Sequence, residues 1–294
     1  MRTLVATDLS EASDEALRQA FASARSAGGP VAICHVMPEF AQVQGLFPLD
    51  APSDLAADFE PRAQTINAMR EQLRRVFPTA AEDVEMRLDE GAPYAGILNQ
   101  AERWRADRVV VGSGTKTGIE RVLLGSVAAR VVRYAHCPVL VARPVAAGAV
   151  LVATDLSDPS MPALRAGAEE ARLRQVPRLV VLHVEEVAEV AVAPAFFGAA
   201  PIALPENLLQ ERREAARRLI EGALERFEMT AEIEVVYGDA AHEILQRSES
   251  LPAEVLVVGT RGRTGFSRLL LGSVAERLVR DASCSVLAVR LMAE

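Results

Sequence analysis

Four small residues near the end of the 294-residue chain have the types and spacing of an anion cradle. They are Gly259, Gly262, Gly272 and Ser273, and they follow the apolar run Val255-Leu-Val-Val258. Glycine adopts φ > 0 without steric penalty and lets backbone N–H groups come close to a ligand, so such a loop after a strand can wrap a phosphate. Gly272-Ser273 then opens a helix, whose first N–H groups lack intrahelical partners and carry the positive end of the helix dipole. Arg261, Arg263 and Arg268 bring positive charge to the same stretch. The same residues also fit a plain turn and helix cap. Hydrolytic or metal chemistry has no comparable signal: there is no GxSxG elbow, no GxxxxGK[ST] loop, and no HExxH or His/Cys cluster.

The cradle has a partner earlier in the chain, because the sequence repeats. Leu4-Val-Ala-Thr-Asp-Leu-Ser10 recurs without change as Leu151-Val-Ala-Thr-Asp-Leu-Ser157, an offset of 147. The same offset carries Arg121–Arg133 onto Arg268–Arg280 and Gly91 onto Gly238, while His35-Val36 matches His183-Val184 with a slip of one residue. Two domains follow, 1–146 and 147–294, with the boundary near Pro144 to Gly148. In the first copy Gly112, Gly125 and Ser126 are in place, with Val127 next in the helix. Thr115 stands at the position of Gly262, with Gly114 one residue early, and Glu120 replaces Ser267. A β-branched threonine disfavours φ > 0, so the first loop is expected to bind more weakly or not at all, with Gly114 and Lys116 as its substitutes.

These loops must be held by regular elements. Each half alternates short β-branched runs with longer helical patterns, the signature of parallel βαβ units. The expected strands are 3–6, 31–36, 81–88, 108–111 and 139–142, then 150–153, 179–184, 230–236, 255–258 and 286–289. Ser10 and Ser157 are expected to cap the first helix of each half, and Gly28-Gly29 to end that of the first half. Two Pro-rich apolar stretches, 37–61 and 185–205, read as long loops, the second leading into a helix over 206–226. The predicted fold is α/β: two tandem doubly wound domains, each a five-stranded parallel sheet of order 3-2-1-4-5 flanked by helices. In such a sheet ligands sit at the carboxyl ends of the strands near the switch point. That rule selects Thr154-Asp155, Val184 and Val258-Gly259, with Asp8, Val36 and Gly112 as their first-half counterparts. An aspartate there could take a hydrogen bond from a base or ribose, or cap the helix that follows.

Composition narrows the functions further. Net charge is −8, which argues against a nucleic-acid or anionic-membrane surface and makes any phosphate site local. No run approaches the length of a membrane span, and the polar start of the chain is unlike a signal peptide, so the expected location is cytoplasmic. Three cysteines without CxxC spacing suit a reducing compartment and read as small buried residues. The four histidines show no ligand spacing and are assigned structural roles.

With these residues in place, the chain resembles the universal stress protein family in its tandem two-domain form. The family's nucleotide signature is Gly, two residues, Gly, nine residues, Gly, then Ser or Thr; Gly259, Gly262, Gly272 and Ser273 match it in full. The resemblance covers essentially the whole chain, including the Thr154-Asp155 turn, the His183-Val184 strand end and Ser285-Val-Leu-Ala-Val289. It implies adenine at Asp155 and Val184, and the ribose and phosphates of ATP along Val258, Gly259, Gly262, Gly272, Ser273 and Val274. ADP or AMP are alternatives, and Mg²⁺ can accompany ATP. It further implies a stress-response regulator acting through nucleotide-dependent interaction with a protein partner, and intramolecular pairing of the two domains with homodimerisation open. A slow ATPase or related adenine-nucleotide hydrolase is one alternative, although the SGGxDS and HxGH patterns of such enzymes are absent. An interaction protein that binds no nucleotide is the other.

Overall fold

The computed structural model describes residues 1–39, 61–78, 84–114, 124–144, 148–186, 205–260 and 271–290. Its contacts divide the chain into two compact units, Met1–Pro144 and Val145–Glu294.

In the first unit the chain runs β1 (Thr3–Ala6), α1 (Asp14–Ala27), β2 (Val31–Met37), α2 (Pro61–Val76), β3 (Glu85–Glu90), α3 (Pro93–Trp104), β4 (Arg108–Gly112), α4 (Ser126–Tyr134) and β5 (Val139–Ala142). Every pairing is parallel, and the strand order is β3-β2-β1-β4-β5. Leu4, Val5, Val109, Val110, Leu140 and Val141 are all fully buried. Such unbroken burial, without alternation, marks strands covered on both faces, which is why these runs are apolar throughout. Helix α1 buries Ala16, Leu17, Ala20 and Ala24 at helical spacing. It stops at Gly28, whose φ of 67° is a left-handed cap that glycine supplies without strain.

The second unit repeats the plan as β6 (Ala149–Thr154), α5 (Met161–Arg174), β7 (Leu179–Glu185), α6 (Glu206–Arg226), β8 (Glu232–Tyr237), α7 (Ala240–Ser250), β9 (Ala253–Gly259), α8 (Ser273–Asp281) and β10 (Ser285–Val289). The parallel pairings give the order β8-β7-β6-β9-β10. The predicted fold class is therefore the observed one, and the helix over 206–226 has the predicted bounds.

Two expectations need correction. The third strand runs Glu232–Tyr237 in the second unit, later than the expected 230–236, and Glu85–Glu90 in the first, where 79–83 lie outside the described residues; its register is set by the partner strand, with Ala32 facing Glu85 and Met37 facing Glu90. Ser10 and Ser157 do not cap α1 and α5. A 3₁₀ turn intervenes in each unit, over Glu11–Ser13 and Asp158–Ser160, and the α-helices begin only at Asp14 and Met161. The serine hydroxyls are instead engaged by the preceding aspartates. Most of the two long loops, 40–60 and 187–204, lies outside the described residues.

Candidate functional site

The turn that follows β1 is built from four residues of the repeated heptapeptide. Asp8 Oδ1 accepts from the Ser10 N–H at 3.0 Å and the Ser10 hydroxyl at 2.6 Å, and Asp155 accepts from Ser157 in the same way at 3.1 and 2.6 Å. These are Asx turns rather than helix caps. Burial works to raise the Asp8 carboxyl, but the Ser10 hydroxyl and N–H, with Ser13, outweigh it and hold the group below the ordinary carboxylate value. Between aspartate and serine, Leu9 and Leu156 sit at φ of 66° and 62°, a left-handed conformation that costs a leucine about 1 kcal/mol or more. The Thr7 and Thr154 hydroxyls hold that strain by accepting the Leu9 and Leu156 N–H at 2.9 and 3.1 Å.

The two turns differ in their support. Thr7 donates to Gln72 Oε1 at 2.7 Å, and the Gln72 amide reaches Ser10 O, Ser13 Oγ and Asp14 Oδ1 at 3.1, 3.0 and 2.8 Å. Arg75 closes the set with paired contacts to Asp14 at 2.8 and 3.2 Å. Helix α2 is thus tied to the turn after β1 through a buried glutamine. In the second unit Thr154 Oγ1 meets Ser160 Oγ at 2.9 Å, and Met161 stands where Asp14 would be.

At the end of the second strand, the His35 and His183 Nδ1 atoms lie 2.9 and 2.8 Å from the Thr7 and Thr154 carbonyls. A carbonyl only accepts, so Nδ1 carries the hydrogen in both rings. His183 is 2% exposed, and its Nε2 is 3.1 Å from Glu185, which also meets Arg212 at 3.3 Å. His35 has Met37 at the Glu185 position.

In the first unit the described glycine ends of the loop after the fourth strand line the other side of the crevice. Gly125 and Gly272 are the N-caps of α4 and α8, with φ of −64° and −63°, and Ser126 and Ser273 are the first helical residues. The Gly125 N–H donates to Ser113 O at 2.7 Å and that of Gly272 to Thr260 O at 3.0 Å. The first N–H to bond back within α4 is that of Ala129, which leaves those of Ser126, Val127 and Ala128 directed out of the helix end. Among the described glycines of the loop after the fourth strand, only Gly114 takes φ > 0, at 117°; Gly259 does not, and Gly262 and Gly265 lie outside the described residues. A Cβ at Gly125 would meet Gly114 Cα at 3.6 Å, and one at Gly112 would meet Ala12 O at 3.4 Å. These are ordinary or slightly tight contacts, so the missing side chains act by keeping the wall low.

In the first unit these pieces line an open cavity of about 320 Å³, bounded by Asp8, His35 and Val36 at the strand ends, by Gly112 at the end of β4 and Gly114 beyond it, and by Gly125–Ala128 at the start of α4. It brings together all seven first-half candidates: Asp8, Val36, Gly112, Gly114, Gly125, Ser126 and Val127. In the second unit Thr154 ends β6 and Asp155 follows it, Val184 lies within β7, Val258 and Gly259 end β9, and Gly272, Ser273 and Val274 open α8. Arg261, Gly262 and Arg263 lie outside the described residues, as do Thr115 and Lys116. Among the described residues no group of three or more His, Cys, Asp or Glu side chains could hold a metal ion, and no helix is long and apolar enough to cross a membrane. Sequence reasoning missed Gln72 and the His183–Glu185–Arg212 chain. Glu185 carried a legible signal, a carboxylate two residues from a strand histidine and so on the same strand face.

Comparison with known proteins gives concordant results. The sequence pattern of the universal stress protein family matches residues 1–143 and again 148–290. Universal stress protein Rv2623 of Mycobacterium tuberculosis is 35% identical over 188 residues, 61% of this chain and 59% of that protein. The aligned part thus spans about three-fifths of that relative's length. A universal stress protein of Mycolicibacterium smegmatis is 28% identical across 98% of this chain and 96% of its own. Among solved structures, a universal stress protein from Archaeoglobus fulgidus superposes with a TM-score of 0.68 at 18% identity, covering 98% of both chains.

Proposed function

The chain belongs to the universal stress protein family, in tandem form, and from that premise we propose that it is an adenine-nucleotide-binding stress regulator that acts through nucleotide-dependent interaction. The observation that carries the reading is the first-unit cavity, in which seven residues chosen from sequence line one space of about 320 Å³ beside the open N–H groups of a helix start. That volume lies at the lower end of the range for small-molecule pockets.

The residues fit an adenine nucleotide in chemical type. Asp155, or Asp8, and the strand end at Val184, or Val36, offer a carboxylate and backbone groups to the base and ribose. Gly259, Gly272, Ser273 and Val274, or Gly112, Gly125, Ser126 and Val127, offer backbone N–H groups and a hydroxyl to phosphates. Arg261, Gly262 and Arg263 join the second set through the family signature. ATP, when bound, supplies the negative charge that those groups would hold. The second domain, with its full signature and three loop arginines, is the tighter site; the first is weaker because its loop carries Glu120 and Thr115. Intramolecular domain pairing belongs to the same reading, since in each unit's own sheet the fifth strand is an end strand whose edge a repeat can meet.

The test is the nucleotide released when purified protein is denatured. We expect adenine nucleotide at close to one per chain, lost in Gly262→Val and retained in Gly114→Val, with ATP, ADP and AMP distinguished by mass. Protein with no bound nucleotide, and no change in melting temperature on adding ATP, ADP or AMP, overturns the reading in favour of an interaction protein without a ligand.

A further inference from the structure

We propose that His35 is a base-recognition residue of the first domain, its Nε2 accepting a hydrogen bond from the exocyclic amine of adenine, a role closed to His183 in the second domain. The inference rests on the adenine-nucleotide reading above and extends it to a difference between the two sites.

The argument begins with the tautomer. Thr7 O, 2.9 Å from His35 Nδ1, can only accept, so Nδ1 keeps its hydrogen and the neutral ring turns a lone pair outward on Nε2. No described residue bonds to that nitrogen. The ring is half-buried in the cavity wall with Asp8 and Val36, on the strand-end side, while the helix start that suits phosphate supplies Ser126 and Val127. An acceptor at the base end of a nucleotide cavity selects for a base that presents a donor, and the amine of adenine is such a donor. The carbonyl of hypoxanthine, in the same position, would meet the lone pair as a second acceptor.

In the second domain the same nitrogen is occupied. His183 Nε2 lies 3.1 Å from Glu185 Oε2 in a ring that is 2% exposed, and Arg212 holds that carboxylate in turn. With Nδ1 donating to Thr154 O, the Nε2–Glu185 contact closes through a proton carried by either partner, and in both cases Glu185 takes the place a ligand would need. Met37, the counterpart of Glu185, is 8% exposed and offers only a thioether, which accepts from the Thr65 hydroxyl at 3.5 Å. One substitution, methionine for glutamate, frees the first-domain ring for a ligand.

The experiment is calorimetric titration of the full chain with ATP and ITP, read at the site that Gly114→Val removes. His35→Asn keeps an amide N–H near the Nδ1 position for Thr7 O and has nothing at Nε2. We expect it to weaken ATP at that site about tenfold, the loss of one hydrogen bond, to bring the ATP-to-ITP ratio close to one, and to leave the melting temperature in place. His35→Gln, which returns an amide oxygen near the Nε2 position, restores part of the preference and serves as the test if the asparagine variant is unstable. His183→Asn lowers the melting temperature without changing base preference at the first site. Equal ATP and ITP binding by His35→Asn and by the unchanged protein, or no uptake of either at that site, overturns the inference and leaves the nucleotide reading standing; an unchanged protein that also carries no nucleotide as purified overturns both.

Discussion

Replacing Thr7 by valine separates the two halves of the molecule energetically, although the two heptapeptides are identical. Valine matches threonine in shape and removes only the hydroxyl. In the first unit that hydroxyl donates to Gln72 Oε1 and accepts the Leu9 N–H. Gln72 is 2% exposed, so water does not replace the lost donor. Leu9, already left-handed, loses the acceptor that holds it. Ser13 is not orphaned, because its hydroxyl donates to Ser10 O at 2.8 Å. Two stranded groups at about 1–3 kcal/mol each, with some relaxation, give a cost of about 2–4 kcal/mol. In the second unit Thr154→Val strands only the Leu156 N–H, since Ser160 donates to Ser157 O, and the cost is about 1–2 kcal/mol. The single tryptophan, Trp104, lies in the first unit, so its fluorescence in a urea titration follows that unit, while far-ultraviolet circular dichroism follows both. Thr7→Val should lower the Trp104 midpoint clearly, and Thr154→Val should leave it in place and shift only the dichroism curve. A Trp104 midpoint unmoved by Thr7→Val, or a larger loss from Thr154→Val than from Thr7→Val, refutes the claim that Gln72 anchors the first-domain turn.

Three further outcomes are expected. Gly222→Ala, in α6 with nothing within 4 Å of the added Cβ, should stabilise by up to about 1 kcal/mol through helix propensity, whereas Gly167→Ala places its Cβ 2.1 Å from Val152 Cγ2 and should destabilise by about 1–3 kcal/mol; thermal melts that rank them the other way contradict the packing. Because the folded Asp8 carboxyl is held below its unfolded value of about 3.9, its contribution is present above that pH and is lost as pH falls through the lower folded value. Asp8→Asn should therefore flatten the acid limb of a stability-against-pH curve, and an unchanged limb removes Asp8 from that role. Burial pushes the Cys34 and Cys137 thiols up to about 12, and Cys284 is 6% exposed, so iodoacetamide at pH 8 should leave native protein unmodified by intact mass while unfolded protein gains three adducts.

The sheet was legible because its central strands are short, apolar and covered on both faces, and because the plan is written twice, at an offset of 147 or, at the second strand, 148. What the residues of one strand do not encode is where pairing stops, which is why β8 begins at Glu232 rather than Thr230. The turn after β1 was less legible. Thr-Asp-Leu-Ser suggests a helix cap by residue type, but the structure uses the aspartate for an Asx turn and accepts a left-handed leucine, an arrangement held by contacts with Ser13 and, 65 residues away in the chain, Gln72. Such long-range support has no local signature. The glycines were legible as a pattern: Gly272-Ser273 opens a helix as its residue types suggest, and Gly125-Ser126 does the same in the first unit, both glycines with ordinary φ. The contrast between His35 and His183 lay in the sequence as methionine against glutamate, yet acquires meaning only when a strand places both positions on one face.

The central claim is that the crevice at the strand ends holds an adenine nucleotide, and ligand-linked stability tests it most directly. A ligand that binds only the folded chain raises stability by RT ln(1 + [L]/Kd), about 2.7 kcal/mol at a hundredfold excess over Kd. Protein stripped of bound nucleotide and melted in increasing ATP should show a midpoint that climbs with the logarithm of concentration, and the climb should shrink sharply in Gly262→Val. A midpoint independent of ATP, ADP and AMP up to millimolar concentration contradicts the account.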